Sequence, residues 1–167
     1  LDVNLMYIGA KNNVFNSHVE FFSKMKKGTL YGLTPLVNET ACGPDFYEEA
    51  KKSGHYIELD PAMSMEEAKE YANKMDVLYT DTWVDMEFFN NPAYQKQKEE
   101  TLAKMMPYQL NGDFTKDSKA IVFHDMPMHV GFEISQDVVD KNLDHILDEA
   151  ENRRHAEKAV MYTLLNS

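Results

Sequence analysis

The sequence is poor in the features that stabilise secreted domains or span membranes. It holds a single cysteine, Cys42, so no disulfide can form within the chain of 167 residues. It has neither the basic and then apolar stretch of a secretory signal nor an apolar run of about 20 residues that could cross a membrane. We therefore predict a soluble, cytoplasmic protein that is long enough to bury a single core.

Basic residues are scarce relative to acidic ones. The chain has 17 lysines and arginines against 28 aspartates and glutamates, which gives a formal net charge of −11. A surface this acidic repels phosphate backbones and anionic lipids, so neither nucleic acid nor a membrane is expected as a partner. The chain starts at Leu1 rather than at an initiator methionine, and the first predicted strand begins almost at once, which favours a fragment of a longer protein.

What the sequence does contain is a series of short apolar runs separated by stretches of helical periodicity. This alternation predicts one α/β domain over residues 1–167, with a doubly wound, mainly parallel five-stranded sheet and helices on both faces, as in Rossmann-like folds. The predicted strands are residues 3–8, 29–34, 56–59, 77–80 and 120–123. The predicted helices are residues 16–25, 44–53, 64–73, 91–104, 135–141 and 150–165.

Two helix ends have recognisable local signals. Ser64 and Glu67 have the spacing of a capping box, in which each side chain bonds to the backbone of the other residue. Gly54 follows the second predicted helix, where a left-handed backbone commonly ends a helix.

The fourth predicted strand opens directly into a polar loop with the sequence DTWVDM, residues 81–86. In open α/β sheets, ligands bind beyond the carboxyl ends of the strands, because loops and helix N-termini converge there. The segment from Asp81 to Met86 therefore predicts part of a binding site.

The loop after the first strand contains one glycine, Gly9, where a dinucleotide-binding fingerprint would need three. A dinucleotide is therefore disfavoured. Asn12 and Asn13 in the same loop fit two roles equally well: they could hydrogen-bond a ligand, or they could tolerate the left-handed backbone of a tight turn.

The last strand leads into the sequence HDMPMH, residues 124–129. His124 and His129 with an intervening acid invite a metal hypothesis, but this spacing matches no standard zinc site and has no cysteine partners, so no metal is expected. The Met126–Pro127 bond is a candidate for the cis form.

The segment before the final predicted helix also has two interpretations. Its acidic residues and Asn152 are typical of a helix N-terminus. Alternatively, the adjacent Arg153 and Arg154 could bind a phosphate or a carboxylate.

Five segments, in order, resemble the second, acceptor-binding domain of the ornithine carbamoyltransferase family. Residues 8–14 (IGAKNNV) are similar to the family's I-G-D-G-N-N-[IV] loop, and residues 80–87 (TDTWVDME) to D-x-W-x-S-M-G. Residues 106–110 (MPYQL) are similar to A-P-Y-Q-[VL], residues 124–127 (HDMP) to H-C-L-P, and residues 150–153 (AENR) to the final E-N-R stretch. Together they span nearly the whole chain.

The resemblance implies transfer of a carbamoyl group from carbamoyl phosphate to an amine, with release of phosphate and without a metal or organic cofactor. By position, the residues implied to contact the acceptor, ornithine or a related amine, are Asn13, Asp81, Asp85 and Met86. Asp81 would hold the α-ammonium group by a charge-assisted hydrogen bond.

The resemblance also implies the residues around the reacting groups. Asp125 and Met126 replace the Cys-Leu pair that flanks the reacting amine and are the catalytic candidates together with Arg153. His124 and Arg153 would bind carbamoyl phosphate. Catalysis of this kind depends on positioning the reactants and stabilising the charge that develops on oxygen.

Several residues depart from the family pattern. Asp85 and Glu87 stand where the family has Ser and Gly, Asp125 stands where it has Cys, and Ala10-Lys11 replace Asp-Gly. The acidic replacements suggest an acceptor that has more positive charge than ornithine or lacks its carboxylate. The alternative is that Asp85 and Glu87 face solvent and that ornithine is used.

The family's Ser-x-Arg-Thr and His-Pro-x-Gln motifs are not found in this chain. The resemblance places both in an N-terminal carbamoyl-phosphate domain, so this chain alone is not expected to turn over, and the full-length protein is expected to be a two-domain homotrimer. The competing hypotheses are a non-catalytic ligand-binding module of the same fold and, far less favoured, a receiver-like domain with Asp81 as phosphoacceptor. The receiver needs an acidic pair after the first strand, which Gly9-Ala10-Lys11 does not supply.

Overall fold

The computed structural model describes residues 2–166, which alternate between strands and helices. The strands are β1 (Asn4–Lys11), β2 (Thr29–Val37), β3 (Tyr56–Glu58), β4 (Val77–Tyr79) and β5 (Ile121–Phe123). The helices are α1 (Asn13–Ser23), α2 (Pro44–Lys51), α3 (Met65–Ala72), α4 (Met86–Phe89), α5 (Gln95–Met105) and α6 (Gln136–Leu165), with short 3₁₀ turns at Pro92–Tyr94 and Met106–Tyr108.

The five strands form one sheet in the order β3-β2-β1-β4-β5, and every pairing is parallel. The chain adds β2 and β3 on one side of β1 and then returns to add β4 and β5 on the other side. This is the doubly wound α/β arrangement that the alternation of apolar runs and helical stretches predicted, and the sheet is entirely rather than mainly parallel.

The sheet is covered on both faces because successive side chains of a strand point in opposite directions. Met6 and Ile8 of β1 join a core with residues of α3 and the first half of α6. Leu5 and Tyr7 join a second core with residues of α1 and α2. Both cores lie against the sheet, which therefore supplies a rigid base for the loops at its carboxyl edge.

Both local helix signals are confirmed. The Ser64 hydroxyl accepts a hydrogen bond from the Glu67 amide, and the Glu67 carboxylate accepts one from the Ser64 amide. Gly54 has a φ of +76°, in the left-handed region that glycine adopts without strain.

The prediction of two separate helices at residues 135–141 and 150–165 is wrong, because α6 is continuous over 30 residues. Residues 142–149 contain no glycine or proline that would end a helix, and Ile146 within them is fully buried. Asn152 therefore lies inside α6 and does not cap a helix. The helix at residues 86–89 was not predicted, and α1 begins at Asn13 rather than at residue 16.

The second half of α6 differs from the rest of the protein in its exposure. Residues 151–166 are all exposed, including the apolar Val160 and Leu165. Within residues 2–166, no helix combines the length and the apolar character needed to cross a membrane.

Candidate functional site

The candidate site lies where the winding direction of the sheet reverses, between β1 and β4. Adjacent strands separate here into loops that lead to opposite sides of the sheet, which leaves a crevice at their carboxyl ends. Asn12 directly follows β1, and Asp81 follows β4 two residues after its end. Asn12 Nδ2 donates a hydrogen bond of 2.6 Å to Asp81 Oδ2 across this crevice.

Asn12 has two roles, and neither needs a left-handed backbone. Its φ of −149° and ψ of −171° are extended, so the tight-turn alternative is wrong for this residue. Its Oδ1 accepts from the Phe15 amide at 2.9 Å and caps α1, while its Nδ2 holds Asp81. Asn13 is the first residue of α1, and its side chain is exposed.

Asp81 is 8% exposed and is held by donors of the surrounding loops. Its Oδ1 accepts from the Thr82 amide at 2.6 Å, and its Oδ2 accepts from Asn12. The neighbouring Thr80 hydroxyl donates to the Ile8 carbonyl at 2.8 Å, which ties the end of β4 to β1. The position of the Asp81 carboxylate is thus fixed before any ligand binds.

Asp125 follows β5 and meets Asp81 from the other side. Burial, the charge of Asp81 and a hydrogen bond with that carboxyl raise the pKa of Asp125 to about 7. One carboxylate oxygen of Asp81 and one of Asp125 lie within 4.8 Å of each other. Two carboxyl groups at this distance share a proton more readily than they both ionise, so the pair can exchange a proton near neutral pH. The Asp125 side chain is 34% exposed, which leaves it accessible to a ligand.

His124 is fully buried behind this pair, and both of its ring nitrogens are in use. Nδ1 accepts from the Met126 amide at 3.0 Å, so the neutral ring carries its proton on Nε2, which contacts Glu133 Oε1 at 3.2 Å. The ring thereby orients the loop that carries Asp125 and Met126. Its predicted contact with carbamoyl phosphate stays a prediction.

Asp81, His124 and Asp125 are also the group that could hold a metal, since one ligand atom from each lies within 4.8 Å of the others. However, a metal would have to displace hydrogen bonds that His124 and Asp81 already make. The expectation that no metal binds stays a prediction.

Met126 is the residue whose backbone geometry is most unusual in this loop. The Met126–Pro127 peptide bond is cis, as the sequence had suggested, and Met126 has a φ of +56°. Its side chain is 41% exposed beside Asp125, where the predicted role requires it to meet a substrate.

A cavity of about 640 Å³ opens beside this cluster, between α1 and α6. Three of the predicted site residues, Asn13, Asp125 and Arg153, line it together although they come from distant parts of the sequence. Arg153 Nε donates to Glu157 Oε1 at 3.2 Å, and the Arg153 side chain is 82% exposed, so the guanidinium is open to an anion from solvent.

The same cavity is lined by His18, Tyr79 and Glu149, which are not among the predicted site residues. The Tyr79 hydroxyl donates to Glu149 Oε1 at 2.6 Å and thereby links β4 to α6. Burial raises the pKa of Glu149 and also that of Tyr79. No sequence motif singles out these residues, because only the tertiary fold brings α1, β4 and α6 together at this cavity.

Asp85 and Met86 are separate from this cavity. Asp85 lines a second groove, of about 200 Å³, with Asn38, Glu39 and Lys98. Burial and the charges of Asp81, Glu87 and Glu39 raise the pKa of Asp85, so the local potential is negative. Met86 begins α4 and is 47% exposed. Their predicted contacts with the acceptor stay predictions.

Lys11, one of the departures from the family pattern, faces away from the site. Its ammonium group forms an ion pair with Glu58 and lies 4.5 Å above the centre of the Tyr47 ring. It therefore does not offset the acidic charge at the crevice.

Comparison with known proteins identifies the family of this domain. Residues 1–164 match the family model of the aspartate/ornithine carbamoyltransferase Asp/Orn-binding domain. The chain belongs to this family. It is 34% identical over 170 residues to the ornithine carbamoyltransferase of Chlorobaculum tepidum, covering 99% of this chain and 46% of that protein. With the enzyme of Archaeoglobus fulgidus it shares 30% identity, over 98% of this chain and 50% of that protein.

Solved structures of ornithine carbamoyltransferases share the fold of this chain. The ornithine carbamoyltransferase of Pyrococcus furiosus superposes with a TM-score of 0.76 at 29% identity and covers 96% of this chain and 49% of its own. The anabolic enzyme of Campylobacter jejuni superposes with a TM-score of 0.79 at 25% identity, over 98% and 52% of the two chains. The chain thus spans about half the length of the relatives it matches.

Proposed function

We propose that this chain forms the acceptor-binding half of a carbamoyltransferase that joins the carbamoyl group of carbamoyl phosphate to ornithine or a related amine. The proposal is supported above all by the shared cavity of Asn13, Asp125 and Arg153 beside the Asn12–Asp81 hydrogen bond. That cavity brings a carboxyl group, an amide and an open guanidinium together at the switch point of the sheet.

Each group has a chemical task in this reaction. Asp81, held by Asn12 and Thr82, is suited to an ammonium group of the acceptor, with Asn13, Asp85 and Met86 as further acceptor contacts. Arg153 would bind the phosphate, because a guanidinium matches phosphate oxygens with two parallel hydrogen bonds. His124 would act on carbamoyl phosphate by fixing the backbone of the adjoining loop.

The chemical step needs an uncharged amine. The attacking nitrogen forms a bond to the carbamoyl carbon, the bond from that carbon to the phosphate oxygen breaks, and the departing phosphate takes one proton from the nitrogen. Before the attack, the ammonium group of the acceptor must lose another proton to a base. Asp125, whose pKa is raised to about 7, is suited to take that proton near neutral pH. Met126 would flank the reacting nitrogen.

The remaining half of the active site would come from a second domain. Because the relatives are about twice as long as the matched region, the chain alone is proposed to bind the acceptor without turnover. The full-length protein would act as a homotrimer, with carbamoyl phosphate and the amine as its small-molecule substrates.

A panel assay of the full-length protein tests this proposal. Carbamoyl phosphate is supplied with ornithine, acylated ornithines, putrescine, lysine or aspartate, and both phosphate and the carbamoylated product are measured. We expect one amine to give stoichiometric phosphate and product, and we expect the 167-residue chain to give neither. Binding of an amine without any transfer would instead support a non-catalytic ligand-binding module.

A further inference from the structure

His18 lines the same cavity as Asn13, Asp125 and Arg153, although the proposed reaction has so far given it no role. It lies on α1 five residues after Asn13, about one and a half turns further along the helix. Its ring makes no hydrogen bond to any residue between 2 and 166. A polar ring that lines a cavity without a protein partner is available to a ligand.

Two tyrosines fix the orientation of the His18 ring. The Tyr79 ring meets it edge to face with 4.3 Å between the ring centres, and the Tyr7 ring lies 6.0 Å away. Both tyrosines are themselves held by hydrogen bonds, Tyr79 to Glu149 and Tyr7 to the Ala10 carbonyl. The imidazole is therefore positioned before a substrate enters, which lowers the entropic cost of binding.

The charges around His18 come from three sides of the cavity. Asp81 and Asp125 follow β4 and β5, while Glu149 and Arg153 belong to α6. Burial lowers the pKa of His18 to about 4 even though Asp81 acts in the opposite direction. At neutral pH the ring is thus uncharged, with one N–H donor and one nitrogen lone pair. A lone pair surrounded mainly by carboxyl groups suits an amine better than an anion.

We propose that His18 is a specificity-determining residue that accepts a hydrogen bond from the amine of the acceptor. Asp125 supplies a second hydrogen-bond acceptor in the same cavity, so the two side chains together hold a primary amine near the anion site of Arg153. This inference rests on the proposed carbamoyl transfer and adds a residue that recognises the acceptor. It applies to the nitrogen that attacks, which arrives as an ammonium group and reacts as a neutral amine.

Two variants of the full-length enzyme separate recognition from packing. His18→Phe keeps an aromatic ring against Tyr79 but removes both nitrogens, whereas His18→Gln retains a donor and an acceptor. For the acceptor preferred in the panel assay, we expect His18→Phe to lower kcat/KM by about 10- to 100-fold, the loss typical of a hydrogen bond to a charged group. We expect the KM for carbamoyl phosphate to change by less than about twofold and His18→Gln to restore part of the activity.

The control is His145→Phe, the same replacement at an exposed position of α6. It should change neither the kcat/KM for the acceptor nor the KM for carbamoyl phosphate. If the wild-type enzyme is active and His18→Phe retains its kcat/KM, the assignment of His18 is wrong while the proposed function stands. If His18→Phe impaired the kinetics with carbamoyl phosphate as much as those with the acceptor, His18 would have a packing role. The same would follow if His18→Phe and His18→Gln lost the same activity. Either result would overturn the assignment of His18. A wild-type enzyme that carbamoylates no amine would overturn the proposed function itself.

Discussion

Asn12 donates a 2.6 Å hydrogen bond to Asp81 across the point where the sheet reverses its winding, and it caps α1 at the same time. One side chain therefore couples the start of a helix to the carboxylate proposed to bind the acceptor. Asn13, its neighbour in sequence, has an exposed side chain that lines the cavity. The structural role of Asn12 can thus be tested separately from the proposed ligand contact of Asn13.

Replacing these two asparagines by alanine should affect different properties, stability for Asn12 and acceptor binding for Asn13. Asn12→Ala removes the cap and leaves a buried Asp81 oxygen unpaired, so we expect a loss of about 2 to 4 kcal/mol in the free energy of unfolding. Asn13→Ala should cost less than about 0.5 kcal/mol, because its side chain is exposed, but it should weaken acceptor binding. Urea unfolding and calorimetric titration measure the two effects. Equal stability losses for both variants would contradict this division of roles.

The sheet and several helix ends could be predicted because their causes are local. Apolar runs mark the strands, and Ser64 with Glu67 marks a helix start within four residues. The site could be predicted only where a motif spans it, as with Asp81 and Asp125. His18 and Glu149 lie in helices, and Tyr79 meets Glu149 over a separation of 70 residues, so their proximity depends on the tertiary fold. The continuity of α6 was missed because Ile146 is buried by contacts distant in sequence.

The raised pKa of Asp125 predicts a specific dependence of stability on pH. Between about pH 4 and pH 7 the folded protein keeps a proton on Asp125 that the unfolded chain has lost. The resulting stabilisation is complete at the low end of this range and is lost as the pH rises through 7. Asparagine does not titrate, so Asp125→Asn should gain stability relative to wild type as the pH rises.

Urea unfolding at pH 4, 5.5 and 7.5 measures this effect. We expect the stability of Asp125→Asn relative to wild type to increase by about 1 to 2 kcal/mol across the range, a value reduced from full burial because the side chain is partly exposed. Asp148→Asn makes the same replacement at an exposed position of α6 and should show no such trend. A difference that is constant with pH for Asp125→Asn would contradict the predicted direction of the pKa shift.

The hydrogen bond from Tyr79 to Glu149 should anchor the middle of α6. Tyr79→Phe removes the donor and leaves a partly buried carboxyl oxygen unpaired, so we expect a loss of about 1 to 3 kcal/mol in the free energy of unfolding. Amide exchange around Glu149 should become faster, because residues 151–166 are exposed and add little tertiary support. Tyr162→Phe, at a side chain that is 71% exposed, is the matched control and should change neither quantity. Unchanged exchange in Tyr79→Phe would show that the middle of α6 is held without this hydrogen bond.

Asp85 should influence which amine the full-length enzyme prefers. Burial raises the pKa of Asp85, and the carboxyl groups of Asp81, Glu87 and Glu39 raise it further. These nearby negative charges disfavour an acceptor that carries its own carboxylate. We therefore expect wild type to favour a diamine such as putrescine over ornithine. Asp85→Ser should shift the ratio of the two kcat/KM values toward ornithine by about 5- to 10-fold, as expected for the removal of one partly solvated charge.

The matched control for this shift is Glu100→Gln, which removes a charge from an exposed side chain of α5. Solvent screens an exposed carboxylate, so this variant should change the ratio much less than Asp85→Ser does. Steady-state kinetics with both acceptors at fixed, saturating carbamoyl phosphate give the ratios directly. An unchanged ratio in Asp85→Ser would mean that the groove beside Asp85 does not sense the acceptor, and selection of the amine would then depend on Asp81, Asp125 and His18.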